Sequence, residues 1–225
     1  MLESPFSTSE STDLFLNIIT VLMLYGPAYL ANTGAMLFGK WLPDRFGFPN
    51  HKIDAGRNHS DGNRLLGDGK SWEGMFGGAL FSGTLMVVAN NLWGGRNTSD
   101  ERPFIDPLFG AGSNDWYWIF GENSAAFVLG FSLGLACMIG DTAGSFVKRR
   151  KGHKREGDES SKAPLLDTMP FALFIFLAAL LLFDNEVIMH NDLRPAILAL
   201  LILTPIIHRS FNILGYKLGL KSVPY

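Results

Sequence analysis

Five apolar segments separated by polar stretches constrain the fold of this 225-residue chain more than any other feature. The hydrocarbon core of a bilayer requires about 20 predominantly apolar residues per helix, so the shorter segments must extend into their polar flanks. The fourth segment has no polar face, and such a helix lies in lipid or is buried on every side. A soluble bundle is excluded because five such helices leave too little polar chain to cover them. The segments are 14–38, 75–93, 125–139, 171–183 and 196–207.

The sequence therefore predicts an all-α integral membrane protein, a single membrane domain over residues 1–225. The first apolar segment begins too late and runs too long for a cleaved signal peptide, and no Lys or Arg precedes it. The single cysteine, Cys137, lies in an apolar segment and excludes an internal disulfide or a cysteine-based zinc site. The five predicted transmembrane helices are residues 13–38, 72–93, 123–147, 168–188 and 194–214, and the two polar loops are residues 39–71 and 148–167.

The distribution of Lys and Arg predicts the orientation of these helices. Segment 39–70 carries six of them, segment 148–167 carries seven, and the end of the chain adds three. The opposite side carries only Arg96, Arg102 and Arg194. The positive-inside rule therefore places both polar loops and the C-terminus in the cytoplasm and the N-terminus outside.

The first polar loop has the composition of a site for a metal ion and a polyphosphate. Residues 54–70 include three aspartates, four glycines and three Lys or Arg. Aspartate oxygens are hard ligands that suit magnesium, and glycine lets the backbone approach a phosphate group closely. Asp-Gly pairs also form ordinary turns, so each pair alone is a weak signal.

A second polar cluster, residues 140–150, ends the third predicted helix. Asp141, Ser145, Lys148 and Arg149 are spaced at i, i+4, i+7 and i+8, which places them on one helical face. An ionisable residue in a membrane helix is costly and normally faces a polar interior. In the alternative interpretation Asp141 lies at the membrane surface, paired with Lys148 or Arg149. The cationic run 148–155 is also typical of a topology determinant that contacts anionic lipid.

Both clusters are predicted at the same membrane face, and each contains carboxylates, glycines and cations next to a helix end. Together they could hold one or two metal ions on a nucleoside triphosphate, with cations that neutralise the departing diphosphate.

These residues resemble the CDP-archaeol synthases, archaeal CTP-dependent cytidylyltransferases that act on an ether-lipid phosphate. The resemblance covers nearly all of the chain after the first dozen residues. Its motifs are the run from Asp54 to Gly74, which includes Asp61-Gly-Asn-Arg-Leu-Leu-Gly-Asp68-Gly-Lys-Ser-Trp-Glu-Gly74, and the segments 140–150, 163–167 and 205–221. The Ser-x-x-Lys-Arg pattern at 145–149 is also similar to the CDP-diacylglycerol synthases. Their further signature after this pattern is missing here, which favours the archaeal family.

The resemblance implies that CTP and unsaturated archaetidic acid give CDP-archaeol and pyrophosphate, with Mg²⁺ as cofactor. The implied partners are CTP, the isoprenoid ether-lipid phosphate and membrane lipids, with no nucleic acid; a homodimer stays open. The implied location is the cell membrane, with a multi-pass chain and an active site that faces the cytoplasm.

Given this reaction, the chemistry of single residues suggests a hypothesis for their roles. Asp141 is the expected main metal ligand, with Asp68 and Asp167 as further ligands, and Lys148 joins Asp141 and Asp68 in the catalytic set. No general base is needed because a phosphate nucleophile is already ionised. The expected nucleotide-binding residues are Asp54, Asp61, Gly67, Gly69, Lys70, Ser145, Arg149 and Arg150.

Three other functions are weighed against this one. A CDP-diacylglycerol synthase would act on ester-linked phosphatidic acid. A CDP-alcohol phosphotransferase needs an arginine and further aspartates after Asp61-Gly62, where this chain has apolar residues of the second helix. A small transporter or membrane scaffold would need polar groups near the membrane midplane, and few approach it here.

Overall fold

The computed structural model describes residues 11–153, 164–183 and 190–217. Within these ranges the regular secondary structure is helical, apart from two isolated β-bridges in the first polar loop. The seven α-helices are α1 Ser11–Tyr29, α2 Ala31–Met36, α3 Leu42–Phe46, α4 Trp72–Trp93, α5 Glu122–Arg150, α6 Pro164–Leu182 and α7 Arg194–Lys217.

Helices α1, α2 and α3 follow one another and form the first membrane-length element, Asp13–Phe46. A π-helical turn, Leu37–Trp41, joins α2 to α3. The sequence predicted an end at residue 38, where the apolar composition stops, but helical hydrogen bonding continues to Phe46. Pro43 lies in the first turn of α3, directly after the π-helical turn, and has no N–H to donate to a carbonyl of that turn. The element ends at Gly47, which has the left-handed φ of 69°.

The described chain contains five helical elements long and apolar enough to cross a membrane, as the sequence predicted. Besides the first, they are Trp72–Trp93, Glu122–Arg150, Leu165–Leu182 and Asn191–Ser210. Large apolar side chains point outward from them, for example Leu181, which is 71 % exposed, and Ile202, which is 72 % exposed. Exposure of this kind suits contact with lipid.

Helix α5 is central and packs closely against α4 and α6. Small residues permit the approach of α4: a Cβ atom added at Gly134 would lie 2.4 Å from the Ser82 Cβ. Ser82 also donates a hydrogen bond of 2.6 Å to the Gly130 carbonyl. The glycines and alanines that the sequence places in these helices therefore serve close helix packing.

The two ends of the bundle differ in character. At one end, the first polar loop meets the C-terminal turns of α5, and these turns contact the first turn of α6. At the other end, the buried guanidinium of Arg102 donates to Asp13 and Asn17 of α1 and so holds the 94–121 segment against the bundle. Residues 184–188 of the fourth predicted helix lie outside the described residues, as do Lys154, Arg155, Lys162 and Lys221.

Candidate active site

The first polar loop, residues 47–71, is organised around the buried carboxylate of Asp54. This carboxylate accepts hydrogen bonds from the backbone N–H groups of Gly56, Leu66 and Gly67, at 3.0, 3.2 and 3.2 Å. The Arg64 guanidinium donates to both of its oxygens, at 2.9 and 3.1 Å from Nη2. All these partners belong to the loop itself. Asp54 therefore determines the shape of the loop and lines neither of the two cavities described below, while its predicted role in nucleotide binding stays a prediction.

The same contacts determine the ionisation of Asp54. Burial raises the pKa of its carboxyl, but hydrogen bonds from Arg64 and from the three backbone N–H groups outweigh burial and lower the pKa to about 2. The carboxylate is therefore charged at neutral pH and satisfied within the loop.

A second aspartate of the loop connects it to α5. The Asp61 carboxylate accepts a hydrogen bond of 2.7 Å from Arg150 at the end of α5. Arg150 also donates to the Arg64 carbonyl at 2.6 Å. Its guanidinium carbon, Cζ, lies over the Phe146 ring at 5.2 Å from the ring centroid. Asp61 and Arg150, both predicted to bind nucleotide, are thus used to fasten the loop to the helix.

The third aspartate, Asp68, is more accessible. Its carboxylate pairs with Lys52 and accepts a hydrogen bond of 3.0 Å from Arg64. These cations keep the pKa of Asp68 below its ordinary value, Lys52 having the larger effect. With its side chain 52 % exposed, Asp68 keeps an accessible face for a ligand.

The residues of the predicted polar face of α5 contact different neighbours. Asp141 forms an ion pair with Lys70 of the loop, so the α5 carboxylate and the loop cation meet directly. Lys148 pairs instead with Asp167 in the first turn of α6, and Ser145 is buried. In the structure Asp141 pairs with Lys70, whereas the alternative interpretation paired it with Lys148 or Arg149.

A cavity of about 410 Å³ opens where α2, the loop, α4 and α5 meet. Its lining combines carboxylates and cations from three parts of the chain with several apolar side chains. The polar residues are Asn32, Lys40, Asp44, Asn50, Asp68, Lys70, Ser71, Asp141 and Thr142, and the apolar ones include Ala35, Met36, Met75 and Met138.

A smaller cavity of about 260 Å³ lies beside the main one and shares Asp68 with it. Of the predicted site residues, Asp68, Gly69, Lys70 and Asp141 line the main cavity, and Gly67, Asp68 and Arg149 line the smaller one. The others line neither cavity; they are Asp54, Asp61, Ser145, Lys148, Arg150 and Asp167.

Sequence reasoning missed the contribution of the first membrane element to the main cavity. Asn32, Lys40 and Asp44 come from this element, and Asn50 follows it. Asn32 was the available signal, since it is a polar residue within a mostly apolar helical element. The Asn32 amide makes only a long contact of 3.9 Å with the Cys137 Sγ. This weak contact does not explain why a polar residue stands at this position of the bundle.

The main cavity fits a magnesium ion held together with a substrate. Among the described residues, no group of three or more His, Cys, Asp or Glu side chains comes together as a ready-made metal site. Magnesium usually takes one or two protein carboxylates and completes its shell with waters and substrate phosphates. Asp68 and Asp141 offer such a pair, whereas Asp167, the third predicted ligand, lies with Lys148 outside the cavity lining.

The fold and the cavity define the class of the protein, an enzyme embedded in a membrane. The chain is similar in structure to "an intramembrane enzyme for archaeal membrane lipids biosynthesis", with a TM-score of 0.55 and 25 % sequence identity. That similarity covers 85 % of this chain and 92 % of the other.

Sequence comparison gives the family. The family of CarS-like CDP-archaeol synthases matches residues 13–99 and 111–225. The CDP-archaeol synthase of Methanospirillum hungatei is 36 % identical over 88 % of this chain and 99 % of its own length. That of Picrophilus torridus is 35 % identical over 93 % of this chain and 99 % of its own. The chain belongs to the CDP-archaeol synthase family, which confirms the resemblance and the prediction of a CTP-dependent cytidylyltransferase.

Proposed function

We propose that this protein transfers CMP from CTP to unsaturated archaetidic acid, a di-geranylgeranyl glycerol phosphate, and releases CDP-archaeol and pyrophosphate. The reaction depends on magnesium and takes place at the cytoplasmic face of the cell membrane. The observation that carries the proposal is the meeting of Asp141 with Lys70 in a cavity whose lining includes both charged and apolar side chains. The phosphate groups of the lipid and of the nucleotide require charged surroundings, and the chains of the lipid require apolar ones.

The chemistry is a phosphoryl-type displacement between two anions. An oxygen of the lipid phosphate bonds to the α-phosphorus of CTP, and the bond from that phosphorus to the α,β-bridging oxygen breaks. Because the reactants repel each other, neutralisation of their charge is the main task of the protein. The nucleophile is already ionised at neutral pH, so no side chain has to remove a proton.

The residues of the main cavity supply this neutralisation. Lys70 and Lys40 offer cations to the phosphate groups, and Gly69 leaves the backbone beside Lys70 open to a close approach. Asp141 and Asp68 would hold a magnesium ion, which when bound neutralises phosphate charge and orients the α-phosphate. We assign the Lys148–Asp167 pair to the positioning of α5 against α6, close to the site but not in contact with the reacting atoms.

The cytoplasmic orientation follows from the positive-inside rule. The polar loop and the end of α5 lie at the same end of the bundle, where they are joined by the Arg150–Asp61 and Lys70–Asp141 contacts. The Lys and Arg of both segments therefore count toward one face, where CTP is available. Cysteine accessibility measured on right-side-out vesicles, with Ser60→Cys against Ser113→Cys, would reverse its expected pattern if the orientation were wrong.

A reconstitution assay tests the reaction. The purified protein, labelled CTP and magnesium are supplied with either an ether-linked isoprenoid phosphate or an ester-linked phosphatidic acid. We expect a labelled CDP-lipid that is dependent on magnesium and favoured with the ether lipid. No CDP-lipid from either acceptor would refute the cytidylyltransferase reaction, and product from the ester lipid alone would assign the chain the activity of a CDP-diacylglycerol synthase.

A further inference from the structure

The first membrane element is longer than a bilayer requires. Its 34 residues, Asp13–Phe46, span about 50 Å at the usual helical rise, whereas the hydrocarbon core is about 30 Å thick. Its apolar composition stops at residue 38, and the part beyond carries Lys40, Asp44 and Arg45. The last turns of this element, which contain the π-helical turn and α3, therefore extend beyond the hydrocarbon core.

Three aromatic side chains of segment 41–48 form an exposed patch. Trp41 contacts Phe46 edge-on, with 5.7 Å between the ring centroids, and Phe46 contacts Phe48 in the same way at 6.4 Å. Phe46, the middle one of the three, is still 63 % exposed. Within the described ranges, no other part of the chain covers this patch. Large apolar side chains that cluster without burial mark a surface that another molecule covers.

The residues around the patch indicate which partner covers it. Lys40 and Arg45 are exposed beside the three rings. Aromatic rings next to Lys and Arg are typical of the headgroup level of a membrane, where the rings lie against the acyl chains and the cations contact anionic headgroups. The end of the apolar part of the element brings the patch to that level. A lipid surface is therefore the partner that fits.

The same segment forms a wall of the main cavity. Lys40 and Asp44 line this cavity, one helical turn apart. The π-helical turn before α3 is held in place, because the Asn50 side chain donates a hydrogen bond of 2.9 Å to the Gly39 carbonyl. A Cβ atom at Gly39 would lie 2.9 Å from the Gly74 Cα, so this turn also packs closely on the start of α4. A shift of segment 41–48 in the membrane would therefore move the cavity wall with it.

We propose that segment 41–48 is a membrane-interface anchor, in which Trp41, Phe46 and Phe48 insert among the lipid headgroups at the polar-loop end of the bundle. The anchor holds the cavity wall that carries Lys40 and Asp44 at the level of the lipid phosphates. A lipid phosphate then reaches the main cavity without rising out of the membrane. The location of the anchor is independent of the proposed function, and its effect on the lipid substrate rests on that function.

A depth measurement tests the location. A nitroxide label on Phe48→Cys, in vesicles that contain anionic lipid, is compared with labels on Leu80→Cys of α4 and Ser60→Cys of the polar loop. The native Cys137 is buried, and the unchanged protein treated with the label checks that this thiol does not react. We expect the accessibility of the Phe48 label to oxygen and to a water-soluble nickel chelate to lie between those of the other two labels, at headgroup depth.

Each of the other results overturns the proposal. The accessibility pattern of Ser60→Cys would place the segment in water, and that of Leu80→Cys would place it in the hydrocarbon core. Protection from both reagents would mean that a protein surface, such as a second copy of this chain, covers the patch.

The effect on the lipid substrate is tested with Phe46→Ser/Phe48→Ser. In vesicles we expect the KM for the lipid phosphate to rise about fivefold or more, because two aromatic side chains no longer enter the membrane. The KM for CTP should not change. Phe46→Trp/Phe48→Trp should keep the KM of the unchanged protein, since Trp is favoured at the interface. Phe120→Ser is the matched control, because Phe120 is 91 % exposed and lies at the other end of the bundle.

An unchanged KM for the lipid phosphate in the serine variant, or an equal rise in the KM for CTP, would overturn the role of the anchor in lipid access. If the unchanged protein forms no CDP-lipid, the proposed function fails, while the depth of the Phe48 label still tests the location of the anchor.

Discussion

The first polar loop and the C-terminal turns of α5 carry the same kinds of side chain but use them differently. In the loop, the Asp54 carboxylate accepts hydrogen bonds from groups of the loop itself, and Asp61 fastens the loop to α5. In α5, Asp141 points into the main cavity and meets the loop cation Lys70. A carboxylate in a glycine-rich loop has many nearby N–H donors to satisfy, whereas a carboxylate on a membrane helix, whose own N–H groups are paired, must find a partner elsewhere.

The largest effect that separates the two regions is expected for Asp141→Asn. The change removes a charge that faces the cavity but no part of the helix backbone. We expect the turnover of CTP to fall by a factor of about 10²–10³, the range found when one preorganised electrostatic group is lost. Turnover is measured on detergent-purified protein, with the elution volume in size-exclusion chromatography as a check of folding. Wild-type turnover in this variant would remove Asp141 from the catalytic machinery.

Asp54→Asn should act on the loop more than on the chemistry. The neutral amide cannot satisfy both the Arg64 guanidinium and three backbone donors, so we expect a loss of about 2 kcal/mol in local stability. Limited proteolysis within residues 55–66 measures the effect, and Ser60→Ala in the same loop is the control. A variant that cleaves at the rate of the unchanged protein but fails to turn over would make Asp54 a functional residue.

The same residue predicts how the loop responds to acid. The folded pKa of Asp54, about 2, lies below the ordinary value of about 3.9 for an unfolded chain. Since the unfolded chain binds the proton more readily, the contribution of Asp54 is complete above about pH 4 and is lost as the pH falls toward 2. Proteolysis of the loop by an acid-active protease should rise across this window. In Asp54→Asn this rise should be smaller, with only the other loop carboxylates, such as Asp68, left to contribute.

The smallest effect is expected for Asp61→Asn. Asp61 contacts Arg150 at the surface and lines neither cavity, and an exposed ion pair contributes little. We expect the KM for CTP to change by about threefold or less. A much larger rise in KM would mean that Asp61 reaches the nucleotide, as the sequence had suggested.

The sequence was sufficient for much of the fold, because membrane-length helices are visible as apolar segments without any tertiary information. It also identified the two clusters that meet, including Asp141, Asp68 and Lys70. It could not separate Asp54 from Asp68, since the two differ in which loop N–H groups happen to surround them. It missed Asp44 because the place of this residue in the cavity depends on the helix continuing through the π-turn to Phe46, and it missed Asn32 although a polar residue in the helix was a usable signal.

We propose that the loop and α5 form one site, joined where Lys70 meets Asp141. A double-mutant cycle on kcat/KM with Lys70→Met and Asp141→Asn tests it most directly. We predict that kcat/KM falls about 10²-fold or more in each single variant. The double variant should be little less active than the less active of the two single variants. Losses that simply multiply would show that the two residues act independently, and this would contradict a shared site.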